Sequence, residues 1–468
     1  MAFAACCSVQ RDKGRVRVDV QLANAESAWA ERRSSQHGSR RHRVPLARPR
    51  RACEVLGDHA SRKPANLLGE TSMLITRRGA MLASAATLLG AAPLARPALA
   101  QSGPILIGWL AALTGPSSAP AIGFDRGVKF AVEEINTAGG VRGRRIEIVT
   151  RDTQGDPTKA VNAAQDMISR QKVNAIWGPT NSGEALATTA VMARAKMPNI
   201  HPCVVDSLID PAKYPNAFRV APSNGQWDDA VRNYCENVLK VKDVAVVGDT
   251  TGYGASAVAA SVAAFRKEGA NVTYQTQIDA TQPDVTPDML RMRNAGAKVI
   301  VVWSVSTGME ARLMNVRGAL GWDVPIVGHP ALGSGDVRQL LENERNWEKV
   351  YMIGYASCSY DANGKLPPRT AAFVARLAGK VALDDTSLWW VASGYDAVKL
   401  VAEAVDATGS SASDAIIGYW NSLRAYPGIF GAYTWTPEQH NGFPTSEVVM
   451  SQANSQKDGA FKLAPGYA

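Results

Sequence analysis

From Ile105 onward, short apolar runs of strand length alternate with amphipathic segments of helix length, and this alternation constrains the fold more than any other feature of the chain. A continuous apolar run reads as a strand buried on both faces, the situation of a parallel sheet covered by helices. Residues 105–110 form such a run and lead into the loop Thr114-Gly115-Pro116-Ser117-Ser118. Phe124, Val128, Ala131 and Ile135 then recur at helical spacing, with Glu133 and Glu134 outside the stripe. Gly139-Gly140 stops that helix, because glycine accepts the left-handed conformation at a helix end. The pattern predicts further strands at 146–150, 175–177, near 200 and at 218–220, with helices over 157–170, 184–196 and 227–239. A second set follows, with strands at 244–247, 272–277, 299–302 and 326–327 and helices over 255–268, 285–295 and 308–320. Two successive blocks of similar size predict an α/β protein of two Rossmann-like lobes, each a parallel sheet flanked by helices. Segment 350–355 and the long helix 388–405 read as a return to the first lobe, and 446–452 with Phe461 as a crossing to the second. The expected division is 104–222 plus 350–432 for one lobe and 223–349 plus 433–462 for the other, joined by a multi-strand hinge.

Ahead of this body stands Thr76-Arg77-Arg78-Gly79-Ala80-Met81-Leu82, then the apolar run 83–92 and the tripeptide Ala98-Leu99-Ala100. A basic flank, a short apolar stretch and small residues at a cleavage site make an export signal, and the paired arginines point to the twin-arginine route. Residues 73–100 are therefore expected to be a signal peptide cleaved after Ala100, which places the product in the periplasm. Such a signal is read at a chain start, so Met73 is the expected start. Residues 1–72, with arginine clusters and scattered prolines, are expected to be an untranslated or disordered leader.

The leader also distorts the charge balance. Residues 1–100 hold 17 basic and 7 acidic residues, which leaves 34 and 35 for the body, so the net charge of +9 belongs to the leader. A nucleic-acid partner loses its electrostatic basis. Cys203, Cys235 and Cys358 remain in the body, enough for at most one disulfide, and no Cys/His spacing suggests a metal. Outside the signal no apolar run approaches the roughly 18 residues of a membrane span. No cofactor is expected.

Ligands of open α/β sheets sit beyond the carboxyl ends of strands, where helix N-termini present unpaired N–H groups. Gly178-Pro179-Thr180-Asn181-Ser182-Gly183 lies between a strand and a helix and can hold an anion. Taken in order, IGWLAALTGP (107–116), FAVEEINTAGGVRGRRIEIVTRDTQGDPTKAV (130–161), WGPTNSGEA (177–185), VVGDTTGYG (246–254) and SGYDAV (393–398) resemble the periplasmic solute-binding proteins of the leucine/isoleucine/valine-binding type. The resemblance covers residues 104–462. It implies the type I periplasmic binding fold and delivery of a small carboxylate ligand to an inner-membrane ABC permease with its ATPase. It implies that Ser182, with Asn181 and backbone N–H groups beside it, binds the ligand carboxylate. The loop holding Cys203 and Val205 is expected to add backbone contacts in place of the family's threonine hydroxyl. Tyr253 matches a family tyrosine facing the cleft from the second lobe, and His329 could donate to a ligand oxygen. Trp109, Trp303, Trp389 and Trp390 could form an aromatic wall.

One departure bears on the ligand. Amino-acid binders of the family pair the ligand ammonium with an acidic residue after the strand near Ile326, where this chain has His329-Pro330. Either Asp249 or Asp206 substitutes, or the ligand is an aliphatic or aromatic carboxylate without an amino group. Two other functions compete with that of a transport receptor. A periplasmic sensor would use the same clamp to address a signalling partner. A short-chain dehydrogenase is suggested by Gly248-x-x-x-Gly252-x-Gly254 with Tyr395-x-x-x-Lys399, but its cofactor loop should open the domain and its serine is missing. The chain is not expected to be an enzyme.

Overall fold

The computed structural model describes residues 6–12, 15–21 and 103–467. The expected signal peptide and most of the expected leader lie outside the described residues. The chain forms two units, Met1–Pro93 and Leu94–Ala468. In the first, β1 (Cys6–Asp12) pairs antiparallel with β2 (Arg15–Gln21), Cys6 opposite Gln21. Residues 15–20 read Arg-Val-Arg-Val-Asp-Val, a period of two that suits a strand and that the sequence reading did not mark.

The second unit begins with β3 (Ile105–Ala111), α1 (Ser118–Thr137), β4 (Ile146–Asp152), α2 (Pro157–Asp166), β5 (Ala175–Trp177), α3 (Ser182–Arg194), β6 (Asn199–His201) and β7 (Ala217–Arg219). These strands form a five-stranded parallel sheet in the order β4-β3-β5-β6-β7. Next come α4 (Asn224–Asn233), β8 (Asp243–Asp249), α5 (Gly252–Lys267), β9 (Asn271–Ile278), α6 (Thr286–Asn294), β10 (Val299–Trp303), α7 (Thr307–Ala319), β11 (Ile326–Gly328), α8 (Gly335–Leu340) and β12 (Val350–Tyr355). The chain ends with β13 (Ser359–Tyr360), α9 (Pro368–Leu377), α10 (Leu388–Thr408), α11 (Ser413–Trp420), β14 (Tyr426–Pro427), β15 (Ala432–Tyr433), β16 (Val448–Gln452) and β17 (Phe461–Lys462). The second large sheet runs β16-β12-β11-β10-β8-β9, parallel except for β16. Two parallel sheets with helices give the α/β, two-lobed architecture that the alternation predicts.

Two stretches sit in the other lobe from the one the sequence suggested. Segment 350–355 does not return to the first lobe. It is β12, hydrogen-bonded parallel to β11 on one edge and antiparallel to β16 on the other. Residues 433–443 stay with the first lobe: Arg219 N donates to His440 O at 3.0 Å, and the His440 ring stacks on Phe218 with centroids 3.9 Å apart. The chain thus passes between the sheets after β7, after β12 and before β16.

Helix α10 packs along α1 through two glycines. A Cβ at Gly127 would stand 1.9 Å from Val391 O, and one at Gly394 would stand 2.2 Å from Phe124 O. Backbone meets backbone at this crossing, so any side chain would force the helices apart. The contact holds Phe124 and Trp390 at the carboxyl ends of the first sheet. Cys203, Cys235 and Cys358 are all free and buried.

Candidate functional site

On the first lobe the site grows from the turn after β5. Gly178 has φ of +97°, and a Cβ there would lie 2.1 Å from Leu110 O, so the turn requires glycine. Thr180 Oγ1 accepts from Ala112 N at 3.2 Å, fixing the loop to the end of β3. Asn181 is the N-cap of α3, its Oδ1 accepting from Gly183 N at 2.8 Å. Ser182 is therefore the first helical residue and not the cap, and it is buried. The neighbouring loop follows β6: Cys203 Sγ donates to Pro179 O at 3.1 Å, Val204 O accepts from Asn224 N at 2.7 Å, and Val205 O accepts from the buried Arg219 guanidinium.

On the second lobe the carboxylate of Asp249 organises the strand ends. Its Oδ1 accepts from Thr251 N at 3.0 Å and from the Thr251 hydroxyl, and its Oδ2 from Ser304 Oγ and Val305 N, each at 3.0 Å. Thr251 caps α5, which puts Tyr253 in the first turn. His329 follows β11, and its Nδ1 accepts from Ala331 N at 3.1 Å. Burial holds the His329 ring down to about 3, so it is neutral at physiological pH. With Nδ1 accepting, the proton of the ring sits on Nε2.

These groups meet around a cavity of about 40 Å³ between the lobes. At roughly 10–15 Å³ per water, the closed cleft holds only a few waters. Asn181, Ser182 and Cys203 line it from the first lobe, Tyr253 and His329 from the second. Trp227 of α4, Phe124 of α1 and the Trp389–Trp390 pair of α10 complete the wall. The rings of Trp227 and Tyr253 stand 5.3 Å from that of His329.

Val205 and Trp109 are not on this surface. Val205 turns its carbonyl to Arg219, behind the loop. Trp109 is fully buried in the first lobe, stacked on Trp177 at 5.6 Å, with its Nε1 donating to Asp125 at 3.1 Å. Trp303, the last residue of β10, is equally enclosed. Trp227 was missed because its place in an amphipathic helix gives the same signal as a core tryptophan.

No carboxylate lines the cavity among the described residues. Asp249 is committed to four donors, and Asp206 faces Arg219 at 3.6 Å with most of its side chain exposed. Two acids lie one turn behind the cleft instead. Glu184, on the first turn of α3, is fully buried, and burial pushes its carboxyl up to about 7 against the opposing hydrogen bonds from the Thr153 side chain and the Asn181 backbone. Glu310, at the matching place on α7, is pushed well above the carboxylate range by burial and then by the charge of Asp249.

The first turns of α3 and α5 touch across the cleft. A Cβ on Gly252 would fall 2.8 Å from Gly183 Cα. Each helix N-terminus carries roughly half a positive charge, so their meeting favours an anion beside them.

The dehydrogenase pattern does not assemble. Gly254 packs against Asp249 in the second lobe. Tyr395 lies on α10, its hydroxyl donating to Glu134 at 2.9 Å and accepting from Arg376 at 3.2 Å. That pair borders an open groove of about 700 Å³ on the outer helix layer, away from the strand ends.

A family model described as periplasmic binding protein matches residues 104–460. The Leu/Ile/Val-binding protein homolog 3 of Brucella melitensis is 28% identical over 216 residues, 46% of this chain and 58% of that protein. An amino acid binding protein of Pseudomonas aeruginosa is 27% identical over 249 residues, 53% of this chain and 65% of that one. The chain thus spans less than two thirds of the length of either relative. Among solved structures, a type 1 periplasmic binding protein of Bordetella pertussis superposes with a TM-score of 0.67 at 25% identity, covering 77% of this chain and all of that one. The branched-chain amino acid transporter substrate-binding protein of Streptococcus pneumoniae, solved with isoleucine, gives 0.66 at 23% identity over 77% of this chain and 99% of that one, which speaks for the fold. With the strand-end cleft between two lobes, these matches show that the chain belongs to the periplasmic binding protein family.

Proposed function

We propose that the protein is an extracytoplasmic receptor that closes its lobes on a small carboxylate lacking an amino group and presents it to an ABC permease with its ATPase. One observation carries the ligand chemistry: the N-termini of α3 and α5 meet at a cavity that no acidic side chain lines. A buried ammonium without a charged partner is costly. A carboxylate is matched, because Ser182 and the helix ends can donate to it where no water competes. Ligand drives closure only through contacts with both lobes at once, Ser182 on one side and Tyr253 and His329 on the other. Val205 contributes by holding the loop through Arg219 and not by touching the ligand.

A thermal-shift panel tests this reading. Leucine, isoleucine and valine are compared with 4-methylpentanoate, 3-methylpentanoate and 3-methylbutanoate. A ligand at about 100 times its Kd adds roughly 2.7 kcal/mol, a readable rise in melting temperature. The acids should stabilise the protein and the amino acids should not. Stabilisation by the amino acids alone would overturn the amine-free ligand while leaving a solute receptor standing.

A further inference from the structure

Hydrogen-bond donors without acceptors are concentrated at the cavity. Tyr253, Trp389 and Trp390 all line it, and the Tyr253 hydroxyl and the two indole Nε1 groups have no protein partner. An indole N–H can only donate, and a buried donor left unpaired is costly. His329 adds a fourth donor, since its Nδ1 already accepts from Ala331 N. Acceptors are scarce: Asn181 Oδ1 is taken by Gly183 N and Thr180 Oγ1 by Ala112 N.

A simple carboxylate, whose two oxygens already face Ser182 and the N-terminus of α3, leaves part of this donor set unmatched. Those donors are close at hand, for Tyr253 follows Gly252, which touches Gly183, which follows Ser182. Two acceptor groups on adjacent carbons would answer donors that the Gly183–Gly252 contact brings together from the two lobes. The cavity of about 40 Å³ suits a short side chain.

We infer that the ligand is a short-chain 2-oxo acid, its carboxylate against Ser182 and α3 and its oxo oxygen accepting from Tyr253 and His329. This rests on the amine-free carboxylate reading above and adds the second acceptor.

Isothermal titration of the full chain with isosteric acids tests the inference. Pyruvate, lactate, propionate and alanine share one skeleton; 4-methyl-2-oxopentanoate, 2-hydroxy-4-methylpentanoate, 4-methylpentanoate and leucine share another. On at least one skeleton the oxo acid should bind tightest, about ten-fold or more above the unsubstituted acid. Tyr253→Phe, which keeps the ring and removes only the hydroxyl, should cost the oxo acid about ten-fold, several times more than it costs the unsubstituted acid. Its melting temperature without ligand should hold, because the lost hydroxyl has no partner. Equal affinity for oxo and unsubstituted acids overturns the second acceptor and leaves the carboxylate reading intact. A hydroxy acid tighter than its oxo acid overturns it too, since the ligand would then be donating. Binding of alanine or leucine with no binding of the acids overturns both readings, and binding by none of the eight overturns the oxo acid.

Discussion

Gly252→Ala puts one methyl group where the two lobes touch. Gly252 is the first residue of α5 and has no need of glycine for its backbone, since its φ lies outside the left-handed region. Its use is closeness: the new Cβ would sit 2.8 Å from Gly183 Cα, inside any ordinary carbon contact. The neighbour is backbone and cannot rotate away, so the lobes must part by several tenths of an ångström. Overpacking of this kind costs typically about 1–3 kcal/mol, which weakens binding by roughly five-fold to 150-fold. The penalty falls only on the closed form. In the open form alanine is the better helix residue, by up to about 0.5–1 kcal/mol. Gly183→Ala is the control, because its Cβ would meet Gly252 N at 3.4 Å and Asn181 Oδ1 at 3.2 Å, contacts that small shifts relieve. Titration calorimetry with the acid that most stabilises the wild type, paired with melting curves without ligand, reads both effects. Lower affinity with equal or higher stability for Gly252→Ala, and a smaller loss for Gly183→Ala, is the expected pair. Unchanged affinity for Gly252→Ala would refute closure onto this glycine contact.

Other positions give separate tests. Ser182→Ala should remove a hydrogen bond to a charged group worth roughly 1.5–3 kcal/mol, so affinity should drop about ten-fold to a hundred-fold by calorimetry, and no drop would take Ser182 out of the site. Burial lets Glu184 keep its proton in the fold up to about pH 7, against an ordinary value of 4.5. The folded chain therefore holds more protons than the unfolded one between these values, and stability declines as pH rises through that window. The difference corresponds to about 3 kcal/mol, so Glu184→Gln should match wild type near pH 4.5 and gain up to that amount by pH 8 in urea unfolding. Parallel pH curves would show that the buried carboxyl is not titrating. N-terminal sequencing of the exported product should begin at Gln101, and a product that retains residues 1–72 would remove the signal-peptide assignment.

The apolar runs made the two-lobed architecture legible because a parallel strand buried on both faces has no other composition. The same property hid the sheet to which residues 350–355 belong. Val-Tyr-Met-Ile-Gly-Tyr suits either sheet, and only the pairing with β11 and β16 decides. The geometry of the loop Gly178–Gly183 is legible, because strand, glycine turn and helix start follow in order. Trp109 was misplaced because an indole on a buried strand and an indole on a cleft wall look alike in sequence. Trp109 finds Asp125 for its N–H, whereas Trp389 and Trp390 have no such acceptor. The glycine contact between α3 and α5 was illegible for a different reason: it joins residues 183 and 252 through space, and neither glycine has a local need to be one.

Closure on an amine-free acid is most directly measured by solution scattering. The radius of gyration is recorded for the protein alone, with saturating 4-methyl-2-oxopentanoate, and with leucine at the same concentration. A decrease with the oxo acid and none with leucine is the predicted result. A decrease with leucine alone, or no change with the acid although calorimetry shows it bound, would contradict a clamp that closes on a carboxylate between Ser182 and Tyr253.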